Sequence, residues 1–208
     1  MKTILCYGDS NTWGHDPREG VRHRYEDRWT TILGDSLGNG YLVIPEGLNG
    51  RTTVWDDPVE GNKNGKAQLV PCLESHKPLD LVILFLGTND LKARFSLTAW
   101  DIAAGAGTLV DMIKWSGCGH NWQAPEILVL IPPQVRKLGF FADMFEGSEA
   151  KSVKFPDVFS QMAGEKGVRF LDIGKSVRLS DLDGIHFEKD QLKILGQTVA
   201  AEVRTILG

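Results

Sequence analysis

Five apolar runs, spaced along the whole chain, constrain the fold more than any other feature of the sequence. They lie at residues 4–7, 41–44, 79–86, 126–131 and 168–173. Several are continuous rather than alternating, which is typical of strands that are buried on both faces. Parallel sheets covered by helices contain such strands. The sequence therefore predicts a doubly wound α/β protein with a five-stranded parallel sheet.

Helical patterns lie between and after these runs, at residues 27–38, 96–117, 147–167 and 188–207. We expect Ser96 to cap the second helix and Gly117 to end it, as these residue types commonly do. Pro156 should kink or restart the third helix, because proline lacks the amide hydrogen that a helix interior needs. In the last segment, apolar residues recur at spacings of three and four, which predicts a helix with one buried face.

The size and charge of the chain exclude several classes of protein. A chain of 208 residues with 42% hydrophobic residues fits a single domain spanning residues 1–208. The net charge of −4 argues against nucleic acid as a partner, because that surface would need a basic stripe. No apolar run approaches the roughly 20 residues of a membrane helix, so we expect no membrane partner. The first strand begins almost at once, so we expect no signal peptide and a cytoplasmic location.

Three cysteines, Cys6, Cys72 and Cys118, occur without a CxxC pair. The odd number and the spacing favour neither a disulfide framework nor a zinc site. Cys6 lies in the first apolar run and is expected in the core. Cys118 lies close to His120, and a cysteine nucleophile there is an alternative, although the surrounding glycines favour a surface turn.

Polar and small residues follow each apolar run. The first run is followed by Gly8-Asp9-Ser10-Asn11, the second by residues 46–51, the third by residues 87–90, and the last by a segment that contains Asp183 and His186. In a doubly wound sheet, ligands bind beyond the carboxyl ends of the strands. We therefore expect these segments to meet at one edge of the sheet and to form the functional site.

The residues at this edge complement one another chemically. A serine becomes nucleophilic when a base accepts its proton, and Ser10 is the candidate nucleophile. His186 is the candidate base, and Asp183, three residues earlier, can bind its Nδ1 atom and leave Nε2 free for the serine. A developing oxyanion needs hydrogen-bond donors. The backbone amides of Ser10 and Gly50 and the side-chain amide of Asn89 are the candidates.

Four sequence blocks resemble the SGNH, or GDSL-type, hydrolase family. They are "GDSN" with Ser10, "GLNGRTT" with Gly50, "GTND" with Asn89, and "DGIH" with Asp183 and His186. The resemblance implies a flavodoxin-like α/β/α sandwich and ester hydrolysis without a metal or other cofactor. It also implies a Ser10–His186–Asp183 triad and an oxyanion hole formed by Ser10, Gly50 and Asn89.

The segments "RWTTILGDSLG", "DDPV", "LDLVILFLGTND" and "MFEG" resemble the arylesterase and acyltransferase branch of that family. Members act on short acyl esters, including aryl and carbohydrate acetates, and some assemble as octamers. The branch therefore implies a small-molecule ester substrate, acyl transfer to alcohols, and a homo-oligomer. Asn11 replaces the leucine that usually follows the serine, which leaves substrate preference open. We expect Asn11, Trp13 and His15 to contact the substrate, with loop packing as the alternative for Trp13 and His15.

Other polar residues have simpler interpretations. We expect Asp9 to bind amides in its turn and Asp90 to cap a helix. Asp181, Asp183 and His186 could be imagined as metal ligands, but no second cluster completes a coordination shell. The remaining histidines, His15, His23, His76 and His120, show no comparable partner in the sequence and are expected to be solvated or packed.

Three other functions compete with a short-chain esterase. A thioesterase or lysophospholipase would use the same fold. Nucleotide or flavin binding is common in doubly wound sheets, but the first turn has neither GxGxxG nor GK[ST]. A non-catalytic carbohydrate-binding protein would not need Asp183 and His186 at this spacing.

Two long loops are predicted, at residues 55–66 and 132–147. The second contains Phe140, Phe141, Met144 and Phe145, which are hard to bury beneath their own loop. We expect a second subunit to cover them and to narrow the entrance to Ser10.

Overall fold

A central parallel sheet organises the protein. The computed structural model describes all residues from Met1 to Gly208, and the strands are β1 (Lys2–Gly8), β2 (Tyr41–Gly47), β3 (Leu81–Phe85), β4 (Glu126–Ile131) and β5 (Arg169–Asp172). Their order across the sheet is β2-β1-β3-β4-β5, and every pair is parallel. The predicted five-stranded α/β architecture is confirmed.

Helices cover both faces of this sheet and complete three layers. They are α1 (Ser10–Trp13), α2 (Trp29–Leu37), α3 (Gly65–His76), α4 (Ala99–Trp115), α5 (Ser148–Ser152), α6 (Phe155–Lys166) and α7 (Lys189–Leu207). Helices α2 and α7 pack together, and α4 packs against α3 and α6. None of these helices combines the length and the apolar character needed to cross a lipid bilayer.

Burial differs between central and edge strands. Every residue of β3 is buried, because β3 has a neighbouring strand on each side and helices on both faces. In contrast, β2 and β5 contain no buried residue, since each lies at an edge of the sheet. The continuous apolar pattern therefore indicated full burial correctly for the central strand and incorrectly for the two edges.

Several predicted helix boundaries need correction. Ser96 does not cap α4, because its backbone is left-handed, with φ of 53°. Instead the Thr98 hydroxyl accepts from the amide of Asp101, and the Asp101 carboxylate accepts from the amide of Thr98. The helix ends at Trp115 rather than at Gly117. Pro156 lies in the first turn of α6, where its missing amide hydrogen costs no bond, so the predicted restart is confirmed.

The aromatic loop between β4 and α5 is only partly exposed. Phe145 is buried against the core, and Phe141 packs on it with a ring-centroid distance of 6.0 Å. Phe140 is 76% exposed and Met144 is 37% exposed. The expectation that all four side chains need a partner subunit is therefore wrong for Phe145 and Phe141, because the loop folds back onto the core.

Candidate active site

Ser10 lies at the carboxyl end of β1, in a turn that requires glycine before it. A Cβ atom on Gly8 would lie 2.1 Å from Thr12 Oγ1 and 2.9 Å from the Phe85 carbonyl oxygen. Asp9 caps α1 by accepting the amide N–H of Asn11 at 2.9 Å. As the first residue of α1, Ser10 has an N–H group without an acceptor inside the helix. The turn therefore presents both a hydroxyl and an amide donor at the edge of the sheet.

His186 and Asp183 meet Ser10 from the segment that precedes α7. The Nε2 atom of His186 lies 2.9 Å from Ser10 Oγ, and its Nδ1 atom lies 2.7 Å from Asp183 Oδ2. Because the carboxylate can only accept from Nδ1–H, Nε2 is the unprotonated nitrogen of the neutral imidazole and then accepts from the serine hydroxyl. The three side chains lie in hydrogen-bond contact, as the sequence predicted.

The Asp183 carboxylate is held in its charged form. Its Oδ1 atom accepts the backbone amides of Ile185 and His186, each at 3.0 Å. Burial alone would raise the pKa of Asp183, but the hydrogen bond and charge of His186 and the two amides together lower the pKa below its usual value. A charged carboxylate fixes the tautomer of His186 and stabilises its imidazolium form.

Gly50 and Asn89 lie on the same rim as Ser10. Gly50 has φ of 80°, a conformation that favours glycine, and a Cβ atom there would lie 2.4 Å from Glu60 Oε2. The side-chain amide of Asn89 donates to Asp9 Oδ2 at 3.4 Å, and its second hydrogen is left for another acceptor. Both residues, with Ser10 and His186, line one cavity.

This cavity has a volume of about 170 Å³. Four of its 12 lining residues are apolar. The apolar residues are Phe141, Met144, Phe145 and Ile185, and the remaining lining residues are Ser10, His15, Asn49, Gly50, Glu60, Asn89, Lys92 and His186. The side-chain oxygen of Asn49 is buried and has no hydrogen-bond partner in the protein. The volume of the cavity is sufficient for a small acyl group.

Of the three residues expected to contact substrate, only His15 lines the cavity. Its ring lies 4.2 Å from the ring of His186, centroid to centroid. Burial and the charge of His186 lower the pKa of His15. Two predictions need correction: Asn11 is buried and donates to the Ile185 carbonyl at 3.2 Å, and Trp13 lies outside the cavity, with the Arg22 guanidinium 4.9 Å from its ring.

Buried ionic residues beside the cavity were not anticipated from the sequence. Lys92 and Arg94, just after Asn89, bind the carboxylates of Asp57 and Glu60 in the loop that follows β2. Burial would raise the pKa of Asp57, but the amides of Glu60 and Val59 and the two cations lower it to about 2. These ion pairs fix the loop that carries Glu60 to the cavity wall. The signal in the sequence was the paired charges, "DDPVE" and "KAR".

Asp90 is not a helix cap, and this prediction is wrong. Its carboxylate is fully buried and accepts the amide of Thr53 at 3.1 Å, together with the Thr53 hydroxyl. Burial raises the pKa of Asp90 to about 7, although the Thr53 hydrogen bonds oppose the shift. Burial likewise raises the pKa of Asp9 to about 6, against the lowering effects of the Asn11 amide and of the charges on His186 and Arg51.

The metal-ligand set considered in the sequence, Asp181 with Asp183 and His186, does not form. Asp181 is exposed and bonded to Lys137, so it does not join Asp183 and His186 as a ligand set. His15 does lie near those two, with one candidate ligand atom from each residue within 4.8 Å of the others. The nitrogen atoms of His186 are, however, already bonded to Ser10 and Asp183.

The remaining histidines have carboxylate partners that the sequence did not reveal. The pairs are His23 with Asp16, His76 with Glu46, and His120 with Asp80. Cys118 is buried and its thiol lies 3.5 Å from the Ser116 carbonyl oxygen, away from the cavity. A cysteine nucleophile is therefore not supported.

Comparison with known proteins extends these findings. Residues 6–190 match the GDSL-like lipase/acylhydrolase family. The inhibitor-bound aryl esterase of M. smegmatis is 41% identical over 100% of both chains, with a TM-score of 0.96. A carbohydrate acetylesterase from Sinorhizobium meliloti is 37% identical over 100% of both chains, also with a TM-score of 0.96. Curated protein sequences gave no significant match.

The family match covers most of the chain, and the full-length structural relatives share the same three-layer architecture. The resemblance seen in the four sequence blocks is thereby confirmed. The chain belongs to the GDSL-like lipase/acylhydrolase family of carboxylic ester hydrolases.

Proposed function

We propose that the protein is a serine esterase that hydrolyses short-chain acyl esters through an acyl-enzyme. The observation that carries the proposal is the hydrogen-bonded series from Ser10 through His186 to Asp183, which lies at the wall of a small cavity. This series supplies a nucleophile, a base and a group that orients the base.

Acylation begins with the serine hydroxyl. Ser10 Oγ attacks the ester carbonyl carbon while its proton passes to Nε2 of His186. The carbonyl oxygen becomes an oxyanion, which the amides of Ser10 and Gly50 and the side chain of Asn89 stabilise by hydrogen bonds. The tetrahedral intermediate then expels the alcohol oxygen, which takes the proton from His186, and an acyl group remains on Ser10.

Deacylation repeats these steps with water as the nucleophile. His186 accepts a proton from water, the resulting hydroxide attacks the acyl-enzyme, and the proton returns to Ser10 Oγ as the acid leaves. An alcohol that takes the place of this water would receive the acyl group, so we propose acyl transfer to alcohols as a second outcome. The apolar residues Phe141, Met144 and Ile185 favour an organic alcohol over water in the cavity.

The cavity favours short acyl groups such as acetyl. Its volume of about 170 Å³ leaves little room for a long chain beside the leaving group. Phe141 lies 6.3 Å from the His186 ring, where the leaving group must accept its proton, so an aryl group can pack there. The Glu60 carboxylate lines the cavity, is 33% exposed and can accept from a hydroxyl of an acetylated carbohydrate. We therefore propose aryl and carbohydrate acetates as the substrate class, which agrees with the names of the two structural relatives.

We also propose that the protein is a homo-oligomer. Phe140 packs on Phe141 with ring centroids 4.0 Å apart and is 76% exposed, and a second copy of the chain would cover it. Light scattering should give a mass above that of one chain, and Phe140→Ser should reduce it. Trp115→Ser, which alters a similarly exposed aromatic residue at the end of α4, should leave the mass unchanged.

Turnover of p-nitrophenyl acetate tests the proposed activity. The wild-type protein should release p-nitrophenol, and folded Ser10→Ala should release it no faster than buffer. Equal rates for the two proteins would contradict the assignment of Ser10.

A further inference from the structure

Each of the three oxyanion donors is next in sequence to a buried ionisable residue. The pairs are Asp9 with Ser10, Arg51 with Gly50, and Asp90 with Asn89. We call Asp9, Arg51 and Asp90 the flanking residues. Their exposed fractions are 1%, 4% and 0%, so none of them is a solvated surface charge.

Hydrogen bonds that involve the flanking residues connect the segments at the carboxyl ends of β1, β2 and β3 in a closed ring. Asp9 Oδ2, from the loop after β1, accepts the side chain of Asn89, from the loop after β3. Asp90, also after β3, accepts the amide and the hydroxyl of Thr53, from the loop after β2. Arg51, after β2, donates from Nη1 at 2.8 Å to the carbonyl of Gly8, the last residue of β1, which returns the ring to the neighbour of Asp9.

Arg51 is held on every side, so it can serve as a rigid member of this ring. Its Cζ atom lies 4.1 Å from the centroid of the Tyr7 ring. Its Nη1 atom also donates to the Glu46 carbonyl, and Nη2 donates to Gln68 Oε1 at 3.0 Å. The guanidinium therefore joins the carboxyl ends of β1 and β2 immediately beside Gly50.

Burying ionisable side chains whose hydrogen-bond partners are neutral costs stability. Ordinary core packing would be satisfied by apolar side chains at these three positions. The flanking residues share two features. Each is next in sequence to an oxyanion donor, and each takes part in the hydrogen bonds that join the segments carrying the donors. We propose that Asp9, Arg51 and Asp90 are positioning residues that hold the amides of Ser10, Gly50 and Asn89 in one fixed arrangement.

This inference rests on the proposed function and adds residues to it. Donors that are fixed before the reaction stabilise the transition state more strongly, because they do not have to reorganise as the oxyanion forms. A displacement of about 1 Å in such a site can cost roughly 10²-fold in rate. The flanking residues touch no reacting atom, so their loss should lower kcat and leave KM unchanged.

The test compares Arg51→Met, Arg51→Lys and Asp90→Asn with the wild type. Arg51→Met removes the donors to Gly8 and Glu46, and kcat for p-nitrophenyl acetate should fall by about 10²-fold with KM unchanged. Arg51→Lys keeps a charged donor and should recover part of that loss. Asp90→Asn keeps the size of the side chain and should also lower kcat.

Asp80→Asn is the matched control. The Asp80 carboxylate joins β3 to β1 at the opposite end of the sheet, where it accepts the amide of Thr3 at 2.7 Å. This variant also loses a carboxylate that bridges two strands, but it should keep the wild-type kcat. Thermal unfolding of all variants separates lost stability from lost rate.

Affinity for methylboronic acid gives a second measurement. This acid adds to Ser10 Oγ and forms a tetrahedral anion whose oxygen occupies the oxyanion position. Its inhibition constant should rise in proportion to the fall in kcat for Arg51→Met and Asp90→Asn, and should stay constant for Asp80→Asn.

Two different failures are distinguishable. No ester turnover by the wild type would contradict the proposed function itself. Wild-type turnover together with an unchanged kcat and boronate affinity in the folded Arg51 and Asp90 variants would overturn the positioning role alone. If Arg51→Met does not fold, Arg51→Lys and Asp90→Asn decide the question by the same two measurements.

Discussion

The Nε2 atom of His186 lies 2.9 Å from the Oγ atom of Ser10, although 176 positions separate the two residues in the sequence. The sheet order explains the contact, because β1 lies near the centre of the sheet and the segment before α7 returns to its carboxyl end. Asn11 strengthens this junction by donating to the Ile185 carbonyl, next to His186. The nucleophile and the base are thereby held in contact before any substrate binds.

Replacing Asp183 by asparagine should lower kcat by about 10⁴-fold. An asparagine amide would donate to Nδ1 of His186, so that Nε2 carries the hydrogen and cannot accept the proton of Ser10. Stopped-flow or steady-state rates with p-nitrophenyl acetate measure the loss. Asp181→Asn, two positions earlier and exposed, is the control and should behave as the wild type. Comparable activity in Asp183→Asn would exclude the carboxylate as the group that orients His186.

The contribution of Asp9 and Asp90 to the stability of the protein should fall as pH rises from about 4 to about 7. Burial raises the pKa of Asp90 to about 7 and that of Asp9 to about 6, whereas an unfolded aspartate titrates at about 3.9. Over this range the folded protein keeps protons that the unfolded chain has lost. Stabilisation from each group is complete below about pH 4 and is lost as pH rises through its folded pKa, with a slope of up to about 1.4 kcal/mol per pH unit.

Urea unfolding at several pH values tests this linkage. Asp90→Asn should have a shallower decline in the free energy of unfolding between pH 5 and pH 7 than the wild type, since one of the two groups is gone. Asp57→Asn is the control, because the pKa of Asp57 is lowered to about 2 and its contribution is lost only at more acidic pH. An identical slope in the wild type and Asp90→Asn would show that the pKa of Asp90 is not raised.

Acyl-chain length should have a strong effect on the rate. We expect p-nitrophenyl acetate to react faster than the octanoate, because the cavity of about 170 Å³ is bounded by Phe141 and Phe145. Phe141→Ala should enlarge it and raise the octanoate rate relative to the acetate rate. A wild-type preference for the octanoate would instead favour the lysophospholipase alternative.

The fold and the triad could be predicted from the sequence because their signals are local. Continuous apolar runs identify β1, β3 and β4, and the polar turns that follow them must meet at one edge of a parallel sheet. Asp183 and His186 are three residues apart, so their contact also follows from sequence. Helix α3 was not predicted, because Pro71 lies within it and its apolar residues are not concentrated on one face.

Pairings between distant loops could not be predicted. The Asp90–Thr53 bond joins residues 37 positions apart, and the local sequence around Asp90 is equally suited to a helix cap. The burial of Asn11 and the place of Trp13 outside the cavity likewise depend on tertiary packing rather than on their distance from Ser10. The roles of such residues can be assigned only from their positions in the folded structure.

Trapping the acyl-enzyme tests the central claim most directly. The protein is mixed with p-nitrophenyl acetate, quenched in acid within the first turnovers, digested, and analysed by mass spectrometry. The account predicts one acetyl group on the peptide that contains Ser10 and on no other peptide, with no such adduct in Ser10→Ala. Rapid turnover with an unmodified Ser10 peptide, or equal turnover by the folded Ser10→Ala variant, would contradict it.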